Sequence, residues 1–180
     1  RITLALMMAR SLEALLHSIY LNLREDFAVP HMALRLWHDG GEHASLPEFS
    51  PISNELRIYA ENLTNPYCGS HVVRDVIGWF GEDGDRLRSF ALVALRAENS
   101  FGLLVLASED AQRFYPEMGT LYLKRLGELI SMALIDADTD RAWRPAQEAV
   151  TAASRYATAS KAKSVTVTGY RAAIRLSDGK

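Results

Sequence analysis

The chain has 180 residues, enough for one domain with a real core and too few for two of ordinary size. Apolar residues make up 48%, which excludes wholesale disorder, and no run reaches the roughly 18 to 20 uncharged apolar residues of a membrane span. The net charge of −2 hides an asymmetry: residues 1–140 carry 12 basic and 20 acidic side chains, a balance of −8, while residues 141–180 carry 8 basic and 2 acidic, a balance of +6. An acidic body repels nucleic acid and anionic lipid, so neither is an expected partner of residues 1–140, and any such binding would fall to the tail.

Residues 2–25 read as helix, with Leu4, Met8, Leu12, Leu15, Leu16, Ile19 and Leu23 on one stripe. Ser11 has the character of a cap for a second segment, so a break is expected near Arg10. Pro30 stops the run. His31 to Trp37 alternates as a half-buried strand does, with Met32, Leu34 and Leu36 on one face. Asp39-Gly40-Gly41 turns the chain, and residues 42–53 read as loop. Asn54 to Leu63 is expected to be a short helix burying Leu56, Tyr59, Ala60 and Leu63. Asn65 to Gly69 reads as a loop or tight turn, and Val72 to Phe80 gives mixed signals.

Ser89 to Leu95 and Phe101 to Ala107 are nearly continuous apolar runs separated by Ala97-Glu98-Asn99-Ser100. They predict an antiparallel hairpin at the centre of a sheet, covered on both faces. A last helix is expected over 117–137, with Pro116 at its start and Leu121, Leu126, Leu129, Ile130, Ala133 and Leu134 on its apolar side. Phe114 and Tyr115 are expected to anchor the preceding loop. Residues 141–180, with 10 alanines and many Ser, Thr and Arg, show no core-building pattern apart from the alternating Val165-Thr166-Val167-Thr168, and are expected to form a weakly ordered or extended basic tail. The predicted architecture is an α+β domain over 1–140, its antiparallel sheet flanked by terminal helices.

The amino terminus lacks the charged start, apolar run and cleavage site of a secretory signal. The single cysteine, Cys68, allows neither an intrachain disulfide nor a thiolate-rich zinc site, and a reducing, cytoplasmic setting is expected.

From Ser89 to Leu95, through Gly102 to Asp110, to Arg113-Phe114-Tyr115-Pro116-Glu117-Met118-Gly119-Thr120 and on to Leu123 and Leu126, the chain resembles the GAF-like family catalogued as domain of unknown function 484. The Pro66-Tyr67-Cys68-Gly69 turn and the Leu4 to Leu36 segment are similar to it as well, so the resemblance covers residues 1–137. It departs from the pattern at Ala107, where a glycine is usual, and at Leu121-Tyr122, where an acidic-aromatic pair is usual. The resemblance implies a GAF fold, with a central antiparallel sheet, long terminal helices on one face and a ligand pocket on the other. It also implies homodimerisation through the helices at 2–25 and 117–137. GAF domains bind small molecules such as cyclic nucleotides and tetrapyrroles, and the cofactor or ligand here is unknown.

The residues themselves offer little chemistry. There is no Gly-x-x-x-x-Gly-Lys-Ser/Thr or Gly-x-Gly-x-x-Gly phosphate loop and no Gly-x-Ser-x-Gly elbow, so no catalytic residue is assigned and no enzyme is expected. His38, Asp39, Glu42 and His43 read as a solvated turn rather than a metal site. Ser108 and Asp110 read as caps. Cys68 reads as a small buried hydrophobe, with a reactive thiol activated by His71 as the alternative. The expected ligand-binding residues are Tyr67, Cys68, His71, Trp79, Phe80 and Arg113, most of them from the 54–80 segment on the sheet face opposite the terminal helices. The leading expectation is a small-molecule-sensing or regulatory module. A ligand-free dimeric interaction scaffold is the alternative, supported if side chains fill that face, and a redox sensor through Cys68 is a weaker one.

Overall fold

A computed structural model describes residues 6, 9, 11–38, 40–137, 164–168 and 171–175 of the chain. The contacts divide it into two compact units, 1–134 and 135–180. The first unit opens with helix α1 (Leu12–Phe27), whose start is set by Ser11: its backbone is extended and its hydroxyl accepts the Ala14 amide at 3.1 Å. Residues 2–10 of the expected first helix lie outside the described residues, apart from Ala9 and the buried Leu6. α1 ends where Ala28 turns left-handed at φ 50° and the Val29 amide reaches back to the Leu23 carbonyl. Strand β1 (His31–Leu36) follows, then two short 3-10 turns at Gly41–His43 and Pro47–Phe49. Helix α2 (Asn54–Asn62) starts on Ser53, whose hydroxyl accepts the Leu56 amide. Strand β2 (Tyr67–Gly69), the one-turn helix α3 (Arg74–Gly78), strands β3 (Ser89–Arg96) and β4 (Ser100–Ser108), and helix α4 over 121–137 complete the order.

The sheet is four-stranded and antiparallel, in the order β1-β4-β3-β2, and the class is α+β. The hairpin predicted for the centre is β3–β4, running from Ser89↔Ser108 to Arg96↔Ser100 with an irregularity at Leu95/Arg96. Side chains alternate between two covered faces. One face gives Phe90, Leu92, Leu103, Val105 and Ala107 to a cluster with Leu56 and Ala60 of α2, Val76 of α3 and Leu87. The other carries Leu34, Leu36, Ala91, Val93, Leu95, Leu104 and Leu106, all at most 2% exposed. α4 covers this second face: Gly127 sits so close to Val93 that a Cβ at 127 would stand 2.5 Å from the valine Cγ1. Leu15, Leu16, Ile19 and Leu23 of α1 are also buried.

Several expectations change. Tyr67–Gly69 is a strand rather than a turn, because its backbone pairs with Phe90–Leu92. Pro116 does not open a helix. It stands in a turn closed by the Met118 amide on the Tyr115 carbonyl at 3.0 Å, and α4 starts after Thr120, whose carbonyl takes the Lys124 amide. Leu121 is 65% exposed rather than packed, since the buried stripe of α4 runs through Leu123, Leu126, Gly127, Ile130 and Leu134 and leaves Leu121 on the opposite side. Phe114 is buried, whereas Tyr115 points to solvent, and Tyr59 is more exposed than its helical neighbours Leu56 and Ala60. In the second unit, Ser164–Thr168 (β5) pairs antiparallel with Arg171–Arg175 (β6), the alternation of Val and Thr suiting a strand. The rest of the expected tail lies outside the described residues.

The contact at Gly127 is directly testable. Gly127→Ala should lower stability by about 1–3 kcal/mol in urea unfolding, because overpacking against a stiff β-branched side chain outweighs the gain of about 1 kcal/mol in helix propensity. In a Val93→Ala background the same substitution should become neutral or stabilising. Equal losses in both backgrounds would place the strain elsewhere.

Candidate functional site

The face under α2 and α3 is where the sequence places the ligand-binding residues. Tyr67, Trp79 and Phe80 do converge there, half-buried against the apolar cluster. The Tyr67 ring lies across Gly69, where any Cβ would fall 2.4 Å from its hydroxyl, so the residue at 69 must be glycine for the ring to lie flat. Trp79 carries the Arg35 guanidinium 4.8 Å above its ring. Burial pushes Arg35 down from its usual value, opposed by the nearby Tyr20 and Glu48. Tyr20 donates to the Glu48 carboxylate at 2.8 Å, and burial, followed by that carboxylate, raises the Tyr20 phenol. Leu56, Phe90, Leu92, Leu103 and Val105, each at most 2% exposed, fill the space beneath these groups.

The other expected residues are not brought to that face. Cys68 follows Tyr67 in a strand and therefore points through the sheet to the side of α4. It is 6% exposed, and burial raises its thiol above the ordinary value. His71 is exposed and bonds the Ser70 hydroxyl at 3.0 Å. Arg113 donates to the Phe27 carbonyl at the end of α1, a cation on a helix C-terminus. In the region of the expected solvated turn, His43 bonds Glu13 at 2.7 Å and His38 packs edge-on to Phe49 and Phe101, while Asp39 lies outside the described residues. Among the described residues no His, Cys, Asp or Glu cluster has the arrangement of a metal site. Ser108 and Asp110 cap a turn: their side chains accept the Asp110 and Gln112 amides.

A cleft of about 350 Å³ opens elsewhere, along the outer edge of β3. The loop through Leu63 and Pro66 forms one wall, Val93, Ala94 and Arg96 the floor, and Lys124, Gly127, Glu128, Ser131 and Met132 of α4 the other wall. Arg96 closes one end. Its guanidinium donates to the Ala60 and Glu61 carbonyls at the end of α2 and pairs with the Glu61 carboxylate. The Glu61 carboxylate also accepts the Ser100 amide at 2.7 Å, and that bond, with Arg96 adding to it, holds Glu61 below the usual carboxylate range. The Arg96 amide donates to Ser131 Oγ at 3.0 Å, which ties the strand to α4. No motif in the sequence marks these residues. The one available signal is Pro66, whose fixed ring favours a break in the chain where β2 begins.

Two outcomes follow. Glu61→Gln should destabilise the protein at pH 7, with the difference shrinking on acidification. A carboxyl held low in the folded state contributes its stability above the unfolded value and loses it as pH falls through the folded one, so a pH-independent difference in urea midpoints would contradict this account. Cys68 should react with iodoacetamide far more slowly in native protein than in urea at pH 8, and equal rates would show an open thiol.

No helix among the described residues is long and apolar enough to cross a membrane. No curated protein matches the chain. Residues 1–136 match the family described as "Protein of unknown function, DUF484", and the chain belongs to that family.

Proposed function

We propose that this chain is a non-catalytic interaction module of GAF type, acting in the cytoplasm and presenting the outer side of α4 to a second copy of itself. The observation that carries this reading is the exposure of Leu121 and Tyr122, at 65% and 76%, on the side of α4 turned away from the sheet, with Met132, 63% exposed, between that side and the cleft. Helical spacing puts Arg125 and Glu128 on the same side, so an antiparallel pair of helices would bring opposite charges and apolar side chains together. The filled cluster beneath Tyr67, Trp79 and Phe80 favours a scaffold over a sensor with its pocket on that face.

A second reading, a small-molecule sensor, is favoured by the cleft along β3, whose volume suits a small metabolite. The low exposure of Cys68 speaks against the redox reading. Native mass spectrometry of the purified chain separates the first two. A dimer without added mass, converted to monomer by Tyr122→Glu with Met132→Glu, is the expected result. A monomer at every concentration would overturn the scaffold reading, and a mass excess lost on denaturation would make the sensor reading primary.

A further inference from the structure

We infer that the cleft along β3 is a peptide slot, which takes one extended segment of a partner protein as an added strand. The slot exists because β2 is short. Tyr67↔Leu92 is its last pair, and Pro66 then leads the chain away, so Val93 to Arg96 have β4 on one side and no strand on the other. The Arg96 amide turns to this open side, where it meets Ser131. The Trp37 amide on the Phe101 carbonyl turns the odd residues of β4 to β1 and the even ones to β3, so by register Val93 bonds β4 and the amide and carbonyl of Ala94 face this open side. The proximity of the Ala94 carbonyl to Gly127, 3.8 Å from where a Cβ would be, agrees. These are the backbone groups that an incoming strand pairs with.

Shape and charge limit the occupant. Walls on both sides, the 63–66 loop and α4, admit a single extended chain and not the edge of a second sheet with its own covering layers. α4 runs alongside β3 in the same direction, since Gly127 meets Val93 and Ser131 meets Arg96. Lys124 and Glu128 both line the slot, are exposed, and have no ion-pair partner among the described residues. One helical turn separates them, about 6 Å along the axis, close to the rise of about 6.8 Å between strand residues i and i+2. A segment antiparallel to β3, continuing the direction of β2, would meet Glu128 first and Lys124 second. The matching sequence is therefore a basic residue, an apolar residue turned towards Leu63 and Pro66, and an acidic residue. Glu128 and Met132 border both the slot and the outer side of α4, so the inference requires that the slot stay open when α4 pairs with a second copy.

The test is a nitrogen-15 amide titration of the full chain with the blocked hexapeptide Thr-Val-Lys-Val-Glu-Val. Saturable shifts centred on Ala94, with slowed exchange of its amide, are expected. N-methylation of the peptide's central valine or of either neighbouring residue should weaken binding at least tenfold in at least one of the three, because an added strand must use its backbone. The charge-reversed pair Lys124→Glu with Glu128→Lys, both exposed and remote from the core, should reverse the preference in favour of a Glu-Val-Lys peptide. No shift at Ala94 with millimolar peptide overturns the inference. So does undiminished binding of all N-methylated peptides, which would mean a merely apolar groove. Concentration-dependent protection of Ala94 in the peptide-free protein also overturns it, because a second copy would then occupy the edge.

Discussion

The ladder between β3 and β4 is the constraint from which the rest follows. Its strands are apolar at nearly every position, and the interior residues from Phe90 to Leu95 and from Leu103 to Ala107 are buried, apart from the half-covered Ala94. A ladder of this composition cannot leave a face to water without exposing a row of leucine and valine side chains. It therefore demands two covering layers, and the chain supplies α2 with α3 on one side and α4 on the other. The close approach of α4 to the sheet depends on a missing side chain, at Gly127, beside the bond from the Arg96 amide to Ser131.

The two edges of the sheet are treated differently. At β1 the Pro47–Phe49 turn packs along the strand, and Glu48, buried there, is held by Tyr20 close to Arg35. A buried carboxylate is tolerated because it accepts a hydrogen bond and has a guanidinium nearby. At the other edge only three residues of β2 cover an eight-residue strand. Arg96 then does the work of closure at its far end, joining the last carbonyls of α2 to the sheet while its own amide is taken by α4. What is left between Arg96 and β2 is a short stretch of open backbone within a walled cleft.

This arrangement moves the functional question from the face of the sheet to its margin. The aromatic residues under α2 and α3 are packed on side chains and serve the core. Arg113, which resembled a candidate for an anionic ligand, serves the end of α1. Among the described residues, the edge of β3, the charged residues Lys124 and Glu128, and the outer apolar side of α4 are open to a partner.

Local composition determined the long elements. The apolar runs at 89–95 and 101–107, the stripe of α1 and the cap at Ser11 depend on side-chain period and on bonds within a few residues, so they are legible along the chain. The family could also be read in advance, from the Ser89 to Leu126 motifs. Only the tertiary structure decided that Tyr67 to Gly69 is a strand, because a three-residue segment is held there by its partner rather than by its own propensity. That one pairing sends Tyr67 and Cys68 to opposite faces and so divides residues that seemed to form one site. The cleft was likewise invisible, since its walls at 63–66 and 124–132 and its floor at 93–96 are distant in sequence and meet only when α4 packs on Val93.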